Sequence, residues 1–137
     1  MKKVFAVLMA LMMLLGATAV FAADITVTVN GEVVDLDRDP YIENGKVMIP
    51  LRLVIEKLGA SVAWDGETKT IFTMLNDAVT TLQIGNINVF TTNDVVTADV
   101  APVLVIDRTF VTEYVLESAF GIDVTFDEAA SMVTIVK

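Results

Sequence analysis

Cysteine and histidine are both absent from the 137 residues of this chain. Without cysteine there is no disulfide and no thiol to carry a lipid anchor, so a folded domain must be held together by its core. Nucleophilic catalysis by a Ser–His or Cys–His arrangement is excluded as well. Basic residues are scarce, with 9 Lys and Arg against 18 Asp and Glu. This balance argues against a nucleic-acid ligand, because clustered Lys and Arg are needed to neutralise phosphates.

The first 22 residues have the three parts of a secretory signal peptide. Lys2 and Lys3 form a basic start, residues 4–15 are apolar, and residues 20–22 offer a small-residue cleavage site. We predict cleavage after Ala22, with residues 24–137 as one secreted domain that makes no membrane contact. The alternative is an uncleaved anchor, since a membrane span needs roughly 20 apolar residues. Cleavage removes two lysines and leaves 7 basic against 18 acidic residues, a net charge of −11.

The secreted part begins with a predicted β-hairpin. Apolar and polar residues alternate over 25–29, the pair Asn30-Gly31 interrupts them, and residues 32–36 resume an extended pattern. Asn-Gly indicates a hairpin because both central residues of a type I′ turn need positive φ. The face expected to be buried consists of Ile25, Val27 and Val29.

An acidic segment follows the hairpin and invites a calcium hypothesis. Asp35, Asp37 and Asp39 project to one side of an extended backbone. A calcium-binding EF-hand loop needs glycine at its sixth position and glutamate at its twelfth, where this chain has Pro40 and Lys46. We therefore predict no metal site, but a solvated edge whose charges and proline discourage strand addition.

Residues 44–71 predict a strand, a helix and a second strand pair. Pro50 is expected at the first helical position, and Gly59 is expected to end the helix. The apolar stripe of this helix consists of Leu51, Val54, Ile55 and Leu58. Val62 and Trp64 then alternate with smaller residues in a strand, and residues 65–69 form the loop to the next strand.

Three residues of this stretch are candidates for function. Arg52 is more simply explained by pairing with a nearby carboxylate or carbonyl, and Trp64 by packing in the core, as is Phe126 in the second half. Asp65 lies in a turn, where aspartate hydrogen-bonds its own backbone. We predict no catalytic, cofactor-binding or metal-ligating residue and no cofactor.

The pattern of residues 44–71 recurs 62 positions later. Gly121, Val124, Phe126 and Asp127 stand where the first copy has glycine, valine, tryptophan and aspartate, and Thr112 is a predicted N-cap. The predicted fold class is α+β, with antiparallel β-sheet hairpins packed on two short α-helices. We interpret the chain as two degenerate strand–helix–hairpin repeats, with halves at about 24–75 and 79–137, each too small to bury its own face.

These residues resemble the copper amine oxidase-like N-terminal domain, also called the stalk domain, over about residues 25–136. The resemblance is most specific in Asn44-Gly45-Lys46, Met48-Ile49-Pro50-Leu51-Arg52, Leu58-Gly59-Ala60, Trp64-Asp65 and Thr68-Lys69-Thr70. It implies a non-catalytic stalk of antiparallel sheet on a helix, common in exported surface proteins of Gram-positive bacteria. Oxidase activity does not transfer, because no histidine can ligate copper and Tyr41 and Tyr114 lie outside any Asn-Tyr-Asp/Glu motif.

Three hypotheses for function follow. The first is a secreted, non-enzymatic structural or binding module at the cell surface, whose partner is a cell-wall polymer or an envelope protein. The second is a self-assembling surface spacer that pairs copies through sheet edges. The third is a hydrolase built on a carboxylate pair, for which Asp37, Asp65 and Asp127 are the residues to test.

Overall fold

Thirteen strands and two helices follow one another in residues 24–137, the part of the chain that this computed structural model describes. The predicted signal peptide, residues 1–22, lies outside the described residues. The first seven elements are β1 (Thr26–Val29), β2 (Glu32–Val33), β3 (Tyr41–Glu43), β4 (Lys46–Pro50), α1 (Leu51–Lys57), β5 (Ser61–Asp65) and β6 (Thr70–Leu75). The others are β7 (Ala78–Gln83), β8 (Asn88–Thr91), β9 (Val95–Thr97), β10 (Val103–Val105), β11 (Arg108–Thr112), α2 (Glu113–Phe120), β12 (Asp123–Asp127) and β13 (Met132–Val136).

The strands form three sheets. The terminal sheet has the order β12-β13-β1-β2, the central sheet β10-β11-β4-β3, and the five-stranded sheet β5-β6-β7-β8-β9. Among the described strands every neighbouring pair is antiparallel except β1 and β13, which run parallel. The predicted α+β class, with antiparallel sheets and two short helices, is confirmed.

The core is centred on the pairing of β4 with β11. Ile49 lies opposite Val111, and neither side chain is exposed to solvent. Each strand leads directly into a helix, and each helix packs against the strand that precedes the other helix, α1 on β11 and α2 on β4. The buried side chains of the two helices are Leu51, Val54 and Ile55 in α1, and Val115, Leu116 and Phe120 in α2.

Hairpins of the same register recur at a displacement of 62 positions. Strands β3 and β4 pair as β10 and β11 do, and β5 and β6 pair as β12 and β13 do. Matching partners include Tyr41↔Met48 with Val103↔Phe110, Trp64↔Ile71 with Phe126↔Val133, and Thr28↔Val33 with Phe90↔Val95. The two outer sheets differ in one strand. In the five-stranded sheet β7 lies between β6 and β8, whereas in the terminal sheet β13 pairs directly with β1.

Turn and cap predictions compare closely with the structure. The pair Asn30-Gly31 has φ of 49° and 86°, so the predicted first hairpin is confirmed, and Ile25, Val27 and Val29 are buried. The Thr112 hydroxyl accepts a hydrogen bond from the Val115 N–H at 3.4 Å, as an N-cap does. None of the helices in residues 24–137 has the length and apolar character to cross a membrane.

The predicted start of the first helix was wrong by one residue. Pro50 is the last residue of β4, with φ −62° and ψ 124°, and it lies opposite Phe110 in the central sheet. Because the sheet holds its ψ extended, the helix begins at Leu51. Gly59, with φ of 99°, follows the last turn as predicted.

The turn between β10 and β11 contains a strained isoleucine. Ile106 and Asp107 have φ of 44° and 63°, at the positions that Asn44 and Gly45 occupy between β3 and β4. A β-branched side chain is a rare outlier at positive φ, whereas asparagine is enriched there. Ile106 is also 65% exposed, so its side chain gains little from burial.

We predict that Ile106→Asn stabilises the protein by about 1 kcal/mol, because it relieves the cost of the left-handed conformation. The reverse change, Asn44→Ile in the equivalent turn, is the matched control and should destabilise it by a similar amount. Urea unfolding midpoints measure both variants. An unchanged midpoint for Ile106→Asn would show that the turn is not strained.

Candidate functional site

Two surfaces of the structure have the features of a binding site. The first, which we call the Trp64 groove, lies between α1, the β10–β11 hairpin and the inner side of strands β5 and β6, and has a volume of about 320 Å³. The second, which we call the aromatic face, is the outer side of the five-stranded sheet around Phe72 and Phe90, with a depression of about 400 Å³. Arg52 and Trp64 both line the Trp64 groove, so the structure brings these two candidates together.

Trp64 is not a core residue. Its side chain is 42% exposed, so the prediction of core packing was wrong for this residue. The physical reason is that β5 is an edge strand and α1 ends at Lys57, which leaves the groove open above the indole. Phe126, at the equivalent position of β12, does pack against the core as predicted.

Arg52 pairs with a carboxylate, as the sequence predicts. Its Nε donates a hydrogen bond to Glu56 Oε1 at 3.0 Å, one helical turn further along α1. The side chain of Arg52 remains 58% exposed in the Trp64 groove. An exposed pair of this kind contributes only a few tenths of a kcal/mol to stability.

Asp37 forms an ion pair with Arg108. Its Oδ2 accepts hydrogen bonds from Nε of Arg108 at 2.8 Å and from Nη2 of the same residue, while Nη1 donates to the carbonyl oxygen of Asp107 at 3.0 Å. The hydrogen bond from Arg108 holds the pKa of Asp37 below its usual value. Within residues 24–137 no three His, Cys, Asp or Glu side chains gather in a metal-binding arrangement.

A second ion pair, between Lys46 and Asp99, mirrors the first. Asp99 lies 62 positions after Asp37, and Lys46 lies 62 positions before Arg108. Lys46 Nζ donates to Asp99 Oδ2 at 2.9 Å, and the Thr112 hydroxyl donates to Asp99 Oδ1 at 2.6 Å. Burial of Asp99 acts to raise its pKa, but the hydrogen bonds from Thr112 and Lys46 outweigh burial and hold the pKa below its usual value. Each of the two pairs joins an acid before one hairpin of the central sheet to a base in the other hairpin.

Carboxylates suggested for hydrolysis serve turns. Asp65 accepts a hydrogen bond from the Glu67 N–H at 3.0 Å, and Asp127 accepts one from the Ala130 N–H at 3.1 Å. Burial, followed by the charges of Glu117 and Asp99, raises the pKa of Glu113, which the sequence did not single out. Neither Glu113 nor Asp99 lines the Trp64 groove or the aromatic face.

A row of side chains crosses all five strands of the aromatic face. In order across the sheet these are Ala63, Phe72, Thr81, Phe90 and Val95, each directly opposite the next. The two phenylalanines are 45% and 49% exposed. They lie two strands apart, which corresponds to about 9.6 Å. The small Thr81 between them leaves a shallow trough bordered by two rings.

One border of the trough carries two side-chain amides that are linked by a hydrogen bond. Gln83 Nε2 donates to the Thr68 carbonyl oxygen at 3.0 Å, and Asn86 Nδ2 donates to Gln83 Oε1 at 3.2 Å. Asn86 Oδ1 in turn accepts the Asn88 backbone N–H at 2.9 Å. These bonds fix the side chains of Gln83 and Asn86, whose second amide hydrogens stay available to a ligand.

Sequence reasoning missed Phe72 because the two sides of β6 are similarly apolar. One side of this strand carries Ile71 and Thr73, and the other carries Phe72 and Met74. The structure buries the side with the threonine, whose hydroxyl donates to the Thr80 carbonyl oxygen at 2.8 Å. An available signal was the pairing of Phe72 with Ala63, which lies on the side of β5 opposite to Val62 and Trp64.

Antiparallel sheets packed with two short helices define residues 24–137 as a β-rich α+β domain. The family profile of the copper amine oxidase N-terminal domain matches residues 28–135, so the chain belongs to that family. In copper amine oxidases the domain is the non-catalytic N-terminal part, and no catalytic domain is evident in this chain. A search of curated proteins found no match to the chain.

We predict that Asp99→Asn destabilises the protein by about 1 kcal/mol at pH 7, because the amide loses the charge-assisted bond to Lys46. Since the pKa of Asp99 is lowered by folding, its contribution is present above its unfolded pKa, near 3.8, and is lost as the pH falls through the folded value. Urea unfolding at pH 7 and pH 3 should show a smaller difference from the wild type in acid.

The matched control for this prediction is Asp123→Asn. Asp123 lies on the edge strand β12 and forms no ion pair within residues 24–137. Its variant should unfold like the wild type at both pH values. Equal behaviour of the two variants at pH 7 would contradict a stabilising role for the Lys46–Asp99 pair.

Proposed function

We propose that the protein is a secreted, non-catalytic module that acts at the cell surface by binding a cell-wall polymer through its aromatic face. The observation that carries the proposal is the pair of exposed rings, Phe72 and Phe90, on one side of a regular sheet. Contiguous apolar surface of this kind, bordered by polar groups, is typical of interaction sites. The predicted signal peptide and the family's non-catalytic character support the same function.

The chemistry of the face fits a glycan. Sugar rings have apolar faces that stack on aromatic side chains and hydroxyls that hydrogen-bond to amides at the edge of a site. Phe72 and Phe90 provide the two stacking surfaces, and Gln83, Asn86 and Asn88 provide amides along one border.

Charge favours an uncharged portion of the wall polymer. Asp65 is the ionised group among the residues that line the depression, and its Oδ1 already accepts a backbone N–H. The net charge of residues 24–137 is −11, from 7 basic and 18 acidic residues. Such a field repels a polyanion and leaves neutral sugars as the preferred ligand.

We also propose that the domain contains two copies of one strand–helix–hairpin unit. The recurrence of three hairpin registers and of one ion pair at the same displacement of 62 positions supports this. The predicted halves, 24–75 and 79–137, then divide the chain near β7, the strand that joins them. Because each outer sheet contains hairpins from both halves, neither half could bury its own apolar face.

We predict that the double variant Phe72→Ala and Phe90→Ala reduces sedimentation with purified cell-wall material at least tenfold, because both stacking surfaces are lost. Tyr114→Ala is the matched control, since this ring is 44% exposed but belongs to α2. The unfolding midpoints of both variants should stay close to that of the wild type, because each removed ring is about half exposed.

Three outcomes would contradict this function. Unchanged sedimentation of the double variant would remove the aromatic face from wall binding. Light scattering over a concentration series tests the alternative of a self-assembling spacer. A mass that rises with concentration in the wild type, and not in the double variant, would make the aromatic face a contact between copies of the chain. The hydrolase hypothesis would require glycan cleavage that Asp37→Ala, Asp65→Ala or Asp127→Ala abolishes.

A further inference from the structure

The Trp64 groove has no part in the proposed function, yet its walls expose costly apolar surface. Trp64 is 42% exposed and Leu104 is 39% exposed, and both line the groove. At the tip of the hairpin that carries Leu104, Ile106 is 65% exposed and has a φ of 44°. A strained backbone with an exposed isoleucine beside a cavity indicates a functional segment, because strain that does not serve folding persists where function requires it.

Among residues 24–137, Arg52 is the arginine of the groove whose two terminal nitrogens have no acceptor. Glu56 engages only Nε of Arg52, and within residues 24–137 no acceptor takes up Nη1 or Nη2. In Arg108, the other arginine of the groove, each of the three nitrogens already donates a hydrogen bond, to Asp37 or to the Asp107 carbonyl oxygen. Glu56 therefore holds the guanidinium of Arg52 through Nε alone. Nη1 and Nη2 form a planar fork that suits a carboxylate.

The charge balance of the groove limits the ligand to a single negative charge. Arg52 and Arg108 are accompanied by Asp37, Glu56 and Asp107, so the lining is already slightly acidic. These carboxylates would repel a doubly charged phosphate. A single carboxylate carries less charge, and Nη1 and Nη2 of Arg52 can bind both of its oxygens.

We propose that the Trp64 groove binds the C-terminal end of an extended peptide, with its terminal carboxylate on Arg52 and its last, aliphatic side chain against Trp64 and Leu104. A terminal carboxylate and the side chain next to it belong to one residue, so both fit a cavity of about 320 Å³. In an internal acidic residue the side chain carries the charge itself, and its neighbours in an extended chain point to the opposite side. Capture of a terminal carboxylate is a recurring mode of peptide recognition.

Intrinsic fluorescence tests this site directly, because Trp64 is the chain's single tryptophan. The probe is the peptide N-acetyl-Gly-Ala-Leu with a free carboxylate, titrated into the purified protein. We expect a saturable change in Trp64 emission. The same peptide as its C-terminal amide should bind at least tenfold more weakly, because the hydrogen bonds to a charged acceptor are lost.

Variants on one helix provide the matched comparison. Arg52→Gln should weaken binding of the free-carboxylate peptide at least tenfold and leave the amide unaffected. Lys57→Gln, which removes another exposed base of α1 paired with Glu32, should change neither. Both variants keep residues of good helix propensity, so the fold is expected to persist, and their unfolding midpoints verify it.

Three results would overturn the proposal. The first is an emission that stays unchanged up to millimolar peptide. The second is equal binding of acid and amide, which would make the groove a purely apolar site. The third is binding of N-acetyl-Leu-Asp-amide as tight as that of the free-carboxylate peptide, which would assign the groove to an acidic side chain instead of a chain terminus.

Discussion

The antiparallel pairing of β4 with β11 is the constraint on which the rest of the structure depends. Ile49 and Val111 face each other there without solvent exposure, and each strand leads into a helix that covers the opposite strand. In a domain without disulfides, this interlocked core must supply the stability that cross-links provide elsewhere. Substitutions of such fully buried aliphatic residues usually cost several kcal/mol. The outer sheets are positioned by this centre, because each is attached to it through a helix.

The two ion pairs reinforce the same centre from outside. Asp37 with Arg108, and Lys46 with Asp99, each connect one hairpin of the central sheet to the segment that precedes the other. They are too exposed to drive folding. Their geometric effect is larger, since Arg108 is held in one wall of the Trp64 groove by both its acid and a backbone carbonyl, and the groove keeps its shape there.

Local turn chemistry made much of the fold predictable from the sequence. Positive φ at Asn30-Gly31 and the cap at Thr112 involve neighbours in the chain, so a single sequence contains the information. Exposure of Trp64 and Phe72 depends on where a helix ends and on which side of a sheet that helix lies. Both are tertiary facts that alternation alone cannot supply, because β6 is equally apolar on its two sides. The parallel contact of β1 with β13 spans the whole domain and left no local signal.

Strands β5 and β6 relate the two proposed binding surfaces to each other. Trp64 points to the inner side of this hairpin and Phe72 to the outer side, since Trp64 pairs with Ile71 and Phe72 with Ala63. Ligands on the groove and on the aromatic face would therefore lie on opposite sides of one hairpin without steric conflict. If both proposals hold, the module would bring a polypeptide terminus close to a glycan surface.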